Sequence, residues 1–158
     1  MAFKTIMVPY DGSDHAKSAL EIAKEFIEEN PEACLHIVSV VPIATMPPAL
    51  NLRANSYAGT AASFADYQQY HDLVQDALAS TAKDLATMVQ ETFDSPDRII
   101  CKAIPSESIA LGITSYAHEH GCDVIVMGRR GLGALRGMLG SVSFAVLRSA
   151  EIPVLTVK

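Results

Sequence analysis

Glycine, arginine and serine crowd one stretch of this chain, Gly128-Arg129-Arg130-Gly131-Leu132-Gly133-Ala134-Leu135-Arg136-Gly137-Met138-Leu139-Gly140-Ser141. It follows directly on the apolar run Val124-Ile125-Val126-Met127. Those residue types in that order suit an anion. Glycines let the backbone approach closely and aim N–H groups at it. A helix start adds free donors and the positive end of a dipole. Arginines add charge-assisted donors. Between Val124 and Ala150 there is no Asp or Glu, and four of the six arginines of the chain lie there, in a protein of net charge −6. A basic island in an acidic chain points to a local anionic ligand such as a phosphate.

Other chemistries lack their residues. No G-x-x-x-x-G-K-[ST] occurs. Gly131-x-Gly133-x-x-x-Gly137 has the wrong spacing for a dinucleotide fingerprint and follows the fourth strand instead of the first. The five histidines, His15, His36, His71, His118 and His120, are scattered with no partnered nucleophile. Ser13, Ser141 and Ser143 stand in no nucleophile-elbow context. Cys34, Cys101 and Cys122 are odd in number and far apart, which indicates neither a disulfide framework nor a zinc site.

The elements that must position the glycine stretch alternate between strand and helix. Phe3–Val8 reads as a first strand, followed by the turn Asp11-Gly12-Ser13, with Ser13 or Asp14 to cap the next helix. That helix carries Ala16, Ala19, Leu20, Ala23, Phe26 and Ile27 at spacings of three and four and should stop near Asn30-Pro31. Leu35–Val41 is a second strand. Pro42 to Thr60 has no period, and reads either as a lid or partner surface or as a disordered insertion. An amphipathic helix over Ala61–Phe93 follows, with Phe64, Tyr67, His71, Val74, Leu78, Leu85 and Val89 on one stripe and most carboxylates off it. Asp97–Ala103 is a third strand. Pro105-Ser106-Glu107 opens a third helix with Ser106 as its cap, and Gly121 closes it. Cys122–Met127, Ser141–Ala150 and Val154–Val157 are the fourth strand, fourth helix and last strand.

This order predicts one α/β domain over residues 1–158, a five-stranded parallel doubly wound sheet with helices on both faces, Rossmann-like. Ligands of such sheets bind beyond the carboxyl ends of the strands where strand order reverses. Asp11, after strand one, and Gly128, after strand four, share that crevice only if the two strands are neighbours. Apolar residues make up 49% of the chain and supply an aliphatic core. The acidic balance argues against nucleic acid and anionic membrane surfaces. No apolar run approaches the roughly 18 residues of a membrane span. Together with the unpaired cysteines, this reads as a cytoplasmic protein.

In this setting the residues resemble the universal stress protein family. Val8-Pro9-Tyr10-Asp11-Gly12-Ser13 is similar to its opening strand and turn, Pro105 with Glu107 and Ile109 to its third-helix entry, and Asp123 through Gly131 to its fourth strand and loop. Gly140-Ser141-Val142 and the ending Ile152-Pro153-Val154-Leu155-Thr156-Val157 complete the likeness, which leaves out only Pro42 to Thr60. The ATP-binding branch of the family carries G-x-x-G, nine residues, then G-[ST]. Here eight residues separate Gly131 from Gly140, with Gly133 and Gly137 among them.

The resemblance implies the adenine nucleotide alpha hydrolase-like fold and ATP accompanied by Mg2+. It implies adenine and ribose contacts from Pro9, Asp11, Val40 and Met127, and phosphate contacts from Gly128, Gly131, Gly140, Ser141 and Val142. Arg129 and Arg130 stand either on the phosphates or as solvated loop arginines. It further implies a homodimer paired through the strand Val154–Val157, whose apolar edge would otherwise be exposed. The expected function is that of a dimeric, ATP-binding, nucleotide-dependent switch in the stress response, working through protein partners. A slow ATPase or autophosphorylating protein is one alternative. A dimeric interaction module without nucleotide, favoured by the short loop, is the other.

Overall fold

The computed structural model describes residues 3–43, 61–94, 96–132 and 139–158, with backbone alone over 61–67. Most of the Pro42 to Thr60 stretch therefore lies outside the described residues, as do Gly133, Arg136, Gly137 and the side chains of Phe64 and Tyr67. The elements run β1 (Thr5–Pro9), α1 (Asp14–Glu29), β2 (Cys34–Pro42), α2 (Ala61–Thr92), a 3-10 turn (Pro96–Arg98), β3 (Ile99–Ser106), α3 (Ile109–Glu119), β4 (Val124–Gly128), α4 (Ser141–Ser149) and β5 (Val154–Val157).

The strands form one sheet in the order β3-β2-β1-β4-β5, and every pairing is parallel. Strand order reverses at β1, whose neighbours are β2 and β4. The doubly wound sheet expected from the sequence is thus present. Each strand sends alternate residues to opposite faces. Ile6, Val8, Leu35, Ile37, Val124 and Val126 pack with Leu20, Ile27, Leu85 and Val89 of α1 and α2. Met7, Val38, Ile125 and Met127 pack on the other face with Ile113 and Tyr116 of α3 and Val146 of α4. On α2, Leu85 and Val89 are buried and Val74 and Leu78 half-buried, but His71 is exposed, so the stripe read from the sequence docks only through its C-terminal part.

The third strand differs from expectation at both ends, since Asp97 and Arg98 belong to the 3-10 turn and the strand starts at Ile99. β3 continues through Pro105 to Ser106, because β2 is long enough to pair Val41 with Pro105 and Pro42 with Ser106. A proline is tolerated there since β3 is an edge strand. The helix cap moves accordingly. Ser106 does not cap α3; its Oγ donates to the Ser108 carbonyl at 2.8 Å, and Ser108 holds the N-cap position. The helix start of α1 follows the sequence, with Ser13 Oγ accepting from the Ala16 N–H at 3.2 Å. Gly121 adopts φ +59, as the turn after α3 requires. Among the described residues no helix is long and apolar enough to cross a membrane.

Candidate functional site

At the switch point, past the ends of β1, β2 and β4, lies a cavity of about 600 Å³. Three loops build it. The first begins where β1 stops. Tyr10 N–H still reaches the Val38 carbonyl at 2.8 Å, and then the chain turns. Asp11 Oδ1 accepts from the Ser13 N–H at 3.0 Å. Gly12, at φ +79, completes a turn that a side chain would strain. This fixes the Asp11 carboxyl at the cavity wall, beside Pro9 and Tyr10.

β2 supplies the second wall. The β1–β2 register ends at Pro9 and Val38, but β2 runs four residues further, to Pro42. The Val38 carbonyl points to the β1 side, since Tyr10 donates to it. Backbone direction alternates along a strand, so Val40 aims its own N–H and carbonyl to that side, beyond the end of β1. Ser39 and Val40 line the cavity there, and Met127 of β4, with Ile109 and Ile113 of α3, gives it an apolar side.

The third wall is the glycine segment. β4 ends at Gly128, which must be glycine for packing reasons: a Cβ there would stand 2.8 Å from the His15 carbonyl carbon in α1. Arg129 N–H donates to the Val157 carbonyl at 2.7 Å, and its own carbonyl accepts from the Gly140 N–H at 3.0 Å. The chain therefore leaves β4 and returns to within one hydrogen bond of where it left. A Cβ on Gly131 would meet Asp11 Oδ2 at 2.5 Å, so the first and third walls touch. Gly140, rather than Ser141, holds the N-cap of α4, and Ser141 is its first helical residue. The loop is anchored from below. Ser143 Oγ, buried, donates to the Gly128 carbonyl at 2.9 Å, and Ser13 Oγ lies 3.5 Å from the Arg130 carbonyl.

Of the residues singled out in the sequence, Pro9, Asp11, Val40, Met127, Gly128, Arg130, Gly131, Gly140, Ser141 and Val142 all line this cavity. Arg129 does not. Its Nε is buried with no hydrogen-bond partner among the described residues. Ser13 was read from the sequence as a helix cap, but its approach to the Arg130 carbonyl and the positioning role of Ser143 were missed. Their signal was the spacing from each glycine turn to the following helix, which places a hydroxyl in the first turn.

The cavity fits a phosphate ester better than a metal. The first turns of α1 and α4 border it through Ala16 and through Ser141 to Ser143, and their orphan N–H groups favour an anion. Among the described residues of the lining, Arg130 is the one cation and Asp11 the one carboxylate. No group of three or more His, Cys, Asp or Glu suited to a metal exists among the described residues. Mg2+ accompanying a nucleotide would thus be held chiefly by the phosphates.

A second polar cluster lies at the other end of the sheet. His36 Nδ1 and Tyr116 Oη share a hydrogen bond of 2.9 Å in the buried interior. The His120 ring stacks on Tyr116, centroids 3.8 Å apart, and its Nδ1 donates to the Tyr116 carbonyl at 3.0 Å. Burial, then the nearby His120 and Lys102, hold His36 below the usual histidine range. Burial pushes the Tyr116 phenol up to about 12 and the Cys122 thiol up to about 11. Cys122 therefore behaves as a small apolar group, as its place in the sequence suggested.

A family profile described as the universal stress protein family matches residues 2–158. A universal stress protein of Thermus aquaticus, described as lying in the QAH/OAS sulfhydrylase 3' region, is 31% identical over 158 residues, covering 99% of each chain. The solved universal stress protein UspA from Lactobacillus plantarum superposes with a TM-score of 0.70 at 24% identity, over 100% of this chain and 99% of that one. A universal stress protein structure in complex with cAMP (TM-score 0.57, 21% identity, covering 100% and 98%) shares the fold. So does one from Archaeoglobus fulgidus in complex with dAMP (TM-score 0.56, 18% identity, covering all of both chains).

Proposed function

The chain belongs to the universal stress protein family, and on that premise we propose that it binds ATP with Mg2+ at the switch-point cavity and acts as a dimeric nucleotide-dependent switch in the cytoplasmic stress response. The observation that carries the reading is the closure of the glycine segment on itself beside Asp11, with Gly140 N–H on the Arg129 carbonyl. It leaves the Gly131 backbone and the start of α4 facing a space bounded by an apolar slot.

Each part of the nucleotide has a matching wall. Adenine lies between Val40 and Met127. The Val40 N–H donates to adenine N1 and the Val40 carbonyl accepts from the 6-amino group, a pattern that guanine reverses. Asp11 accepts from the ribose hydroxyls. Backbone N–H groups of Gly131, Ser141 and Val142 meet the phosphates, with the Ser141 hydroxyl and the Arg130 guanidinium beside them. Gly128 and Gly140 give the backbone room to turn. The cAMP and dAMP complexes of family members support an adenine ligand.

The dimer is proposed through β5. Its outer edge has no partner strand in the sheet order, and Leu155 on it, with Phe144 and Leu147 on the adjoining α4, are 39%, 53% and 42% exposed. An open apolar edge of this kind invites a second copy.

The test is to denature the purified protein, identify any released ligand, and compare melting with and without MgATP and MgGTP. A ligand binding only the native state at about 100 times its dissociation constant adds roughly 2.7 kcal/mol. An adenine nucleotide released, or a melting shift with MgATP that is absent with MgGTP and in Gly131→Val, supports the reading. No ligand and no shift would transfer attention to the dimer surface as the functional element.

A further inference from the structure

The nucleotide loop and the dimer edge meet at Arg129. Arg129 follows the last residue of β4 and opens the glycine loop. Its N–H donates to the carbonyl of Val157, the last residue of β5, at 2.7 Å. Its carbonyl holds Gly140, the N-cap of α4, at 3.0 Å. The preceding Gly128 carbonyl receives the buried Ser143 hydroxyl at 2.9 Å. A peptide unit that moves to suit a phosphate therefore pulls on the end of the edge strand by a single short hydrogen bond. Arg129 does not line the cavity, and its buried Nε has no acceptor among the described residues. A buried donor without an acceptor is costly.

We infer that nucleotide binding and pairing of β5 with a second copy are thermodynamically coupled, with Arg129 as the positioning residue between them and nucleotide tightening the dimer. The inference rests on the nucleotide reading and the dimer proposed above, and adds their linkage. Its sign follows from order. Phosphate bound at Gly131 and Ser141 fixes the Gly128–Gly131 backbone, and a fixed Arg129 holds the C-terminal end of β5 in strand geometry. The second copy then orders less of the edge on pairing, so the two events help one another. Linkage requires the effect to be reciprocal.

Two measurements test it. The dimer dissociation constant is measured by sedimentation with and without saturating MgATP. MgATP affinity is measured in the dimer and in a Leu155→Glu monomer. We expect at least about fivefold tightening of the dimer by MgATP, and MgATP binding weaker in the monomer by about the square root of that factor at each site, since a dimer carries two sites. Arg129→Lys, which keeps the charge but removes the Nε donor, should shrink both factors together, a result that a loss of folding stability alone does not produce. MgATP binding with a dimer constant unchanged within twofold overturns the coupling and leaves the nucleotide reading standing. Absence of MgATP binding overturns both, and absence of any dimer overturns the coupling and the dimer proposed above.

Discussion

At the scale of single residues, glycine has two separate uses in this site. Gly131 faces Asp11 across the cavity, and Gly128 faces the backbone of α1. A side chain at either position collides, but with different consequences. On Gly131 the obstacle is a carboxylate at an exposed turn, which can swing aside, so Gly131→Val should fold and lose nucleotide. On Gly128 the Cβ would lie 2.8 Å from the His15 backbone and 3.0 Å from the Ala16 nitrogen. Helix α1 cannot retreat without opening the core around Ala19 and Ala23, both fully buried. We predict that Gly128→Ala destabilises the fold by about 1–3 kcal/mol, the usual cost of overpacking. Urea unfolding checks this, and an unchanged midpoint would show that α1 is free to shift. The phosphate cradle was legible because glycine, arginine and serine were concentrated after a strand. The packing role of Gly128 was not, because it depends on which helix lies over β4.

At the scale of elements, α1 is held at both ends by other parts of the chain. Ser13 caps its start, and its last turn is closed by Arg98, from the 3-10 turn before β3. Arg98 Nη1 lies 2.8 Å from the Ile27 carbonyl, 3.0 Å from that of Asn30 and 3.2 Å from that of Ala33. The Ile27 carbonyl is one that a helix end leaves without an intrahelical partner, and those of Asn30 and Ala33 belong to the turn from α1 into β2. Hydrogen bonds to a charged donor contribute about 1.5–3 kcal/mol. Arg98→Ala should therefore cost about 2 kcal/mol, with Arg98→Lys recovering part of it, as read from thermal unfolding of the two variants. Equal stability of wild type and Arg98→Ala would mean that water replaces the guanidinium at no loss. The strand and helix order was readable from hydrophobic period and turn residues, and β5 and the end of α1 fell where those signals put them. Arg98 left no such trace, since its partners lie about 70 residues away and meet it only after β2 and β3 pair. The end of β3 was misread for a related reason. Pro105 looked like a helix opening, and only the length of β2 reveals it as the end of a strand.

At the scale of the whole molecule, the parallel sheet gives the protein two chemically different ends. The carboxyl ends of the strands carry the cavity. The opposite end carries His36, in register with Ile100 of β3 and bonded to Tyr116 of α3. The groups facing His36 are Lys102 on β3, and Tyr116 and His120 on or just after α3, and none of these offers it a negative charge. The folded state therefore binds a proton at His36 less readily than the unfolded chain, in which a histidine titrates near 6.5. The sign follows. Above about pH 6.5 both states leave His36 neutral and its contribution is complete. As pH falls below that value the unfolded chain gains the proton first, and stability is lost. His36 lies two residues, about 7 Å along β2, from Val38 of the cavity lining, but above about pH 6.5 it is neutral and places no charge beside the cavity. We predict that melting temperature drops between pH 7.5 and 5.5 by more in the wild type than in His36→Gln, whose amide can still meet the Tyr116 hydroxyl. At a fixed pH of 7.5 the two proteins should bind MgATP equally. A steeper acid loss in His36→Gln would mean that another group carries the pH dependence. An altered MgATP affinity would mean that the sheet transmits strain along its strands, and that the two ends are not independent.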